Sequence, residues 1–349
     1  MKTDKYRHRI AAAATAVFTA AIFISSGPGV CETRAPLSIE PVEERNTYFQ
    51  GDNSTIQFSI TSGQSATYRI GWIFTCKGAI LARDIRQIDL RKTASQKINI
   101  NLRMPETDKD IILDAAIDLL AVQTENNKHK AAFSKKIWIF PKAPAAYAHS
   151  LKDNRLHLFD PGRKTADRLK RTGIPFELIE HATALADISK GLLLVGEGIA
   201  SDAFASLFPL IIDRARRGIS VIVLAPQTGR FPAPLIKTID PSRIVKKGRD
   251  IISFFDSRLD GVAWQHDNRI PQALLSWDKS KERVFGVVAS EAAGWPWMEI
   301  NFRNSRFIYC GFKLIKCWEI NPTPRYFFLH MIKYSQEKPF KVKQRGKRP

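Results

Sequence analysis

Two carboxylates and a group of late aromatic residues hold most of the chemistry this chain could perform. Asp160 and Glu197 each follow a short apolar run, LHLF at 156–159 and LLLV at 192–195 with Gly196 between. Each would therefore stand at the carboxyl end of a strand, where open α/β sheets place their ligands. A converging pair there could exchange protons with a substrate or hold a cation; the competing use is turn closure and capping of backbone amides. Five of the seven tryptophans, Trp264, Trp277, Trp295, Trp297 and Trp318, fall late in the chain. If 295–302 is a strand, Trp295, Trp297 and Glu299 share one face, and Met298, Ile300 and Phe302 share the other. Indoles beside polar groups can stack on sugar rings or fill a partner's pocket, so Trp295, Trp297 and Glu299 form the preferred ligand-binding group. Burial of the same rings between packed elements is the alternative.

Metal and redox chemistry find no foothold. Cys31, Cys76, Cys310 and Cys317 show no CxxC spacing, and no histidine stands near them at ligand spacing. Buried free thiols are expected, with a Cys310–Cys317 disulfide as the alternative outside a reducing compartment. His266 and His330 belong to no recognisable dyad motif. No cofactor and no metal follow from these residues.

The elements that must position these groups are of two kinds. From Tyr48 to Phe140 apolar residues recur with period two, as in Ile56, Phe58, Ile60 and again in Tyr68, Ile70, Trp72, Phe74, Cys76. Lys77-Gly78 supplies a tight turn after the second series. Ile98, Ile100, Leu102 and Met104 form another series, and Leu113 to Ala121 another, with Ile137 to Phe140 closing the region. Short strands at this spacing predict a two-sheet sandwich with Trp72 in its core. From Leu156 strands and helices alternate: a helix over 165–171 closed by Gly173, then strands at 176–179, 192–195 and 220–224. Ser201 is the expected N-cap of a helix whose Phe204, Leu207, Phe208, Ile211, Ile212 and Ala215 share a face; Pro209 predicts a kink or a split in it.

Charge and targeting bound the partners. The 349 residues carry a formal net charge of +20, which favours polyanions through surface attraction without defining a site. The tail KVKQRGKRP adds to it, but no helix-turn-helix, finger or RNP-like spacing accompanies it, so nucleic-acid binding would be phosphate-driven and salt-sensitive. Lys2, Lys5, Arg7 and Arg9 precede an uncharged run over 10–26, the order of a secretory signal. Export to the periplasm or the extracellular space is expected, with an uncleaved N-terminal membrane anchor as the alternative. The expected division is 1–30 as signal peptide or anchor, 42–143 as sandwich, 150–338 as α/β domain and 339–349 as basic tail.

The segments LHLFD, GIPFELI, GLLLVGEG, RRGISVIVLAP, WPWMEINFRNSRFIYCGFKL and PTPRYFFLHMIKY, in that order, resemble a non-catalytic class I glutamine amidotransferase-like domain. The Gly51-Asp52 opening, the Trp72 strand with its Lys77-Gly78 turn and the closing IWIFP resemble the immunoglobulin-like domains beside family 2 glycoside hydrolases and related exported bacterial proteins. The resemblance implies an all-β immunoglobulin-like sandwich followed by a doubly wound, flavodoxin-like α/β domain. It also implies a nucleophile elbow at the end of the fourth strand, where this chain has Ala225-Pro226-Gln227-Thr228-Gly229 and neither cysteine nor serine. A glycosidase barrel has no room in this length. The expected function is that of a non-catalytic exported accessory protein for binding or scaffolding, with a glycan or a cell-envelope protein as partner, in a carbohydrate-processing context. A hydrolase using a cleft near Asp160 and Glu197, and a salt-sensitive polyanion binder, are the alternatives.

Overall fold

Side-chain alternation governs the first half of the chain. The computed structural model describes residues 37–107, 110–125, 130–143, 155–227, 230–232, 251–260, 274–276 and 297–337. Eight strands come first: β1 (Ser38–Pro41), β2 (Thr47–Phe49), β3 (Asn53–Thr61), β4 (Ala66–Cys76), β5 (Ala79–Leu90), β6 (Ser95–Arg103), β7 (Leu113–Gln123) and β8 (Lys130–Phe140). They form a three-stranded sheet, β1-β3-β6, and a five-stranded sheet, β2-β8-β7-β4-β5. The inward residues of both sheets, among them Phe58, Ile60, Ile70, Phe74, Ile100, Ile117 and Ile139, share one core, and Trp72 is buried in it. A β-sandwich is therefore present. Lys77 and Gly78 turn the chain from β4 into β5 with φ of 47° and 80°, the left-handed pair that a two-residue hairpin needs.

The second half contains β9 (Leu156–Phe159), α1 (Lys164–Arg171), β10 (Glu177–Ile179), a 3₁₀ turn (Ala182–Asp187), β11 (Leu192–Val195), α2 (Ser201–Arg216) and β12 (Ser220–Leu224). Next come β13 (Arg230–Pro232), α3 (Ile251–Phe255), β14 (Leu274–Ser276), β15 (Trp297–Asn301), β16 (Arg306–Cys310) and α4 (Pro322–Gln336). Six strands join in the order β10-β9-β11-β12-β16-β15, and β13 pairs with β14 apart from them.

The expectation of a doubly wound, flavodoxin-like, amidotransferase-like domain is corrected here. The protein is sheet-rich, 43% strand against 22% helix, and its sheets are mixed. β15 runs antiparallel to β16 through the short turn between Asn301 and Arg306, so the sheet ends in a hairpin and not in another helix-linked strand. Between β10 and β11 the segment ATALAD makes only a 3₁₀ turn with Leu185 buried. Its spacing offers no apolar stripe long enough to hold a helix against the sheet.

Alternate residues of the six-stranded sheet enter two cores. Leu158, Leu194, Ile222 and Ile308 pack with α1 and α4, whereas Leu193, Val195, Val221, Phe307 and Tyr309 pack with α2. Helix α2 differs from expectation in two ways. It continues as one helix through Pro209, so the split does not occur, and its N-cap is Ala200, without a side-chain cap, because Ser201 already lies in the first turn. Helix α4 has the stronger start: Asn321 accepts the Thr323 amide and Pro322 occupies the first turn, a cap worth about 1 kcal/mol. Cys76, Cys310 and Cys317 are free and buried, so the Cys310–Cys317 bond is absent. Cys31, the signal segment 1–30 and the tail 339–349 lie outside the described residues.

The sandwich and the six-stranded sheet belong to one compact unit, Pro36–Pro349. Phe140 at the end of β8 meets Tyr326 of α4 with ring centroids 4.7 Å apart. Among the described residues no helix is long and apolar enough to cross a membrane.

Candidate functional site

The carboxyl ends of β9, β11, β12 and β16 lie on one side of the sheet, and the loops that leave them are tied to one another. Asp160 follows β9. Its Oδ2 accepts the Ala166 amide at 2.9 Å and its backbone oxygen accepts the Arg163 amide at 3.0 Å, which closes the entry to α1. Arg163 takes φ 59° at that entry. Thr165, buried on the inner face of α1, accepts the Glu197 amide at 2.8 Å. Gly196 is required beside Asp160, since a Cβ there would lie 2.5 Å from the Asp160 Oδ1.

Glu197 makes the longest reach in the site. Its Oε2 accepts the Ile315 amide at 2.8 Å and its Oε1 accepts the Lys316 amide at 3.1 Å. The carboxylate thus fixes the turn that follows β16. Burial raises its pKa to about 7, against the lowering pull of those two amides and of Lys313 and Lys164. Burial also raises the Asp160 carboxyl, opposed by the amides of Ala166 and Thr165. Both carboxylates are buried, and both hold backbone amides. They stand on adjacent loops as builders of the site's walls.

The surface they build is basic. On α1 the residues Lys164, Asp167, Arg168 and Arg171 recur at i, i+3, i+4 and i+7, one stripe, while Thr165, Ala166 and Leu169 are buried on the other. This stripe faces the turn carrying Lys313 and Lys316 across a cleft of about 480 Å³, floored by Glu197, Gly198, Pro226 and Gln227. Five cationic side chains line the cleft against Asp167 and Glu197. Arg168 is engaged with Glu319 at the rim. Lys164, Lys313 and Lys316 make no side-chain hydrogen bond or ion pair among the described residues, so their charges are available to a ligand.

Sequence reasoning found Asp160 and Glu197 but missed the lysines of the 313–316 turn. The helix over 165–171 was read without its basic face, although the i, i+4, i+7 spacing of Lys164, Arg168 and Arg171 is a local signal that would have shown it; nothing local links that face to Lys313. The expected nucleophile elbow is occupied by Ala225, fully buried, and by Pro226 and Gln227 in the cleft wall. Cys310 is no nucleophile in this setting: complete burial pushes its thiol far above the usual range.

The tryptophan group takes a different place. Trp297 and Glu299 do share a face of β15, but neither is exposed. The Trp297 ring packs against Phe255 and Phe327 at centroid distances of 5.7 and 5.8 Å. Glu299 accepts the Tyr334 hydroxyl at 2.8 Å and lies 3.9 Å from the buried Arg306 guanidinium. That guanidinium sits 3.8 Å from the Tyr334 ring centroid. Helices α3 and α4 cover the face that was to present rings to a sugar, so at Trp297 and Glu299 the expected stacking surface is corrected to core. Trp295, with Trp264, Trp277 and His266, lies outside the described residues.

A further buried cluster escaped the sequence altogether. Asp260 accepts the Thr47 hydroxyl at 2.5 Å, the Asn46 amide at 2.9 Å and the Asn321 side-chain amide at 3.3 Å. It joins β2 of the sandwich to the N-cap of α4. Among the described residues no group of histidines, cysteines and carboxylates is arranged to hold a metal ion.

No family model matches the chain, and no curated protein matches it. Solved structures similar to parts of it include the CARDB domain of a Pyrococcus furiosus protein, with 10% identity and a TM-score of 0.21 over 30% of this chain and 92% of that one. Human CEP192 PapD-like domain 7 has 10% identity and a TM-score of 0.21 over 35% of this chain and 96% of that one. A Paenibacillus cycloisomaltooligosaccharide glucanotransferase has 8% identity and a TM-score of 0.25 over 62% of this chain, which spans 31% of that enzyme. None of these likenesses assigns a family.

Proposed function

We propose that this chain is an exported accessory protein that binds an anionic ligand, carboxylate- or phosphate-bearing, in the cleft between α1 and the 313–316 turn, without transforming it. The observation that carries the reading is the charge of that cleft: Lys164, Arg168, Arg171, Lys313 and Lys316 surround a floor whose one carboxylate, Glu197, is spent on two backbone amides. Cationic side chains converging on a concave surface favour charge-assisted hydrogen bonds to anions. Export rests on the basic residues ahead of the apolar run 10–26. The commitment of Asp160 and Glu197 to backbone amides supports binding over acid–base catalysis.

Calorimetric titration of the chain lacking residues 1–30 with inorganic phosphate, an oligogalacturonate and a neutral cello-oligosaccharide, each at low and physiological salt, tests the reading. Binding of one or both anions that weakens with salt, and none of the neutral sugar, is expected. Salt-insensitive binding of the neutral sugar alone would overturn it. The phosphate and uronate arms separate the two sources of negative charge.

A further inference from the structure

We propose that β5 is the edge through which two copies of this chain join, antiparallel and about a two-fold axis at Ile85. β5 ends the five-stranded sheet and is twelve residues long. Its inner neighbour is β4, and no strand among the described residues pairs with its outer edge. Ile80, Leu81 and Ile85 are 52%, 48% and 67% exposed, three of the five large apolar side chains that stand in solvent among the described residues. Natural sheets blunt a long free edge with proline, lysine or a bulge, because its unpaired amides and carbonyls invite another strand. The sequence AILARDIRQIDL contains no proline and no lysine. Its one irregularity lies near the start, where the β4 register shifts between Phe74 and Thr75.

The charges of the strand select the occupant. Antiparallel pairing centred on Ile85 sets Ile85 against its own copy, Asp84 against Arg86 and Arg86 against Asp84, with Ala82 against Ile88 beyond them. Directly opposed residues of antiparallel strands share a face, so both ion pairs form together, as a two-fold contact requires. Moving the axis two residues, to Arg83 or Gln87, sets Asp84 and Arg86 against apolar residues; moving it by one, to Asp84 or Arg86, sets that charge against its own copy and leaves the other against an apolar residue. Within one copy Asp84 accepts Arg86 Nε at Oδ2 (3.0 Å) and the Ile85 amide at Oδ1 (2.8 Å), and Arg86 also donates to the Asn99 carbonyl at 3.4 Å; all these groups are exposed, so pairing of two copies exchanges local bonds for intermolecular ones. Ile85 leans over Gly71 of β4, whose absent side chain leaves that row of the outer sheet face low and continuous. The self-complementary register favours a second copy of this chain over an unrelated strand.

Sedimentation equilibrium over a wide concentration range tests the proposal, with thermal melts to confirm folding. The expected result is a reversible monomer–dimer equilibrium. It should be weakened at least tenfold by Asp84→Arg, which sets arginine against Arg86, and restored by Asp84→Arg combined with Arg86→Asp. Ile85→Lys should abolish it while the melt is unchanged. A wild-type chain that stays monomeric at the highest concentration reached would overturn the proposal, and so would an Asp84→Arg chain that dimerises as well as wild type. Protection of the β5 amides from hydrogen exchange in a monomer would assign the edge to the chain's own segments and would overturn it too.

Discussion

The Glu197 carboxylate holds the Lys316 backbone amide at 3.1 Å across 119 positions of sequence. Through that bond and its twin to Ile315, a residue at the end of one strand sets the turn that leaves another, and the lysines of that turn face the stripe on α1. The anion-binding reading therefore depends on Glu197 as a positioning residue.

Its titration gives the first prediction. The folded-state pKa of Glu197 is raised from 4.5 to about 7, so the native chain binds this proton more tightly than the unfolded one. The associated stability is fully present below about pH 4.5 and is lost as pH rises through about 7, a loss of roughly 3 kcal/mol for a shift of that size. Denaturant midpoints of wild type and Glu197→Gln across this window should show wild type falling relative to the variant as pH increases. Parallel profiles would remove the assigned shift.

Gly196→Ala tests the packing of the two carboxylate loops. The added methyl meets the Asp160 Oδ1 at 2.5 Å, and the carboxylate that must move is the one holding the Ala166 amide. Overpacking of this kind costs about 1–3 kcal/mol. Urea denaturation should show that loss, while Gly162→Ala, where a Cβ meets nothing within 4 Å, should show little.

Asp260→Ala removes the acceptor shared by Asn46, Thr47 and Asn321. Burial raises this carboxyl, against the lowering effect of those donors. Leaving buried donors unpaired costs about 1–3 kcal/mol each, so the total should be several kcal/mol. Thermal denaturation checks it, and Thr47→Val should cost less because the Asn46 and Asn321 bonds survive.

Trp297→Ala should be a stability mutation. The indole is fully buried between Phe255 and Phe327, and truncation of such a ring costs about 3–5 kcal/mol. A variant that melts like wild type but has lost affinity for a sugar would return Trp297 to a binding role.

Legibility followed distance along the chain. The period-two series of β3, β4, β6 and β7 predicted which side chains enter the sandwich core, since alternation is a local property. The apolar runs of β11 and β12 were equally local, and so was the spacing of the basic residues on α1, which went unread. The antiparallel β15–β16 hairpin was not legible, because the alternation over 295–302 and the apolar run at 307–310 say nothing of the direction in which the two strands pair across the turn at Arg303-Asn304. At Trp297 and Glu299 the faces were assigned correctly but their cover was not, as α3 and α4 arrive from elsewhere in the chain. The same limit hid Asp260, whose partners lie 214 and 61 positions away, and it hid the lysines that Glu197 brings to the cleft.

The cleft's affinity for anions, with and without its turn lysines, decides whether the 313–316 turn and α1 form an anion site. Pyrophosphate titrated calorimetrically into wild type and into Lys313→Glu combined with Lys316→Glu, at low and physiological salt, gives the comparison. Wild type should bind and weaken with salt. The double variant should lose at least tenfold in affinity with an unchanged melting temperature, since each charge-assisted contact is worth about 1.5–3 kcal/mol. Equal affinity in the two chains, or no binding by wild type at low salt, would contradict the account.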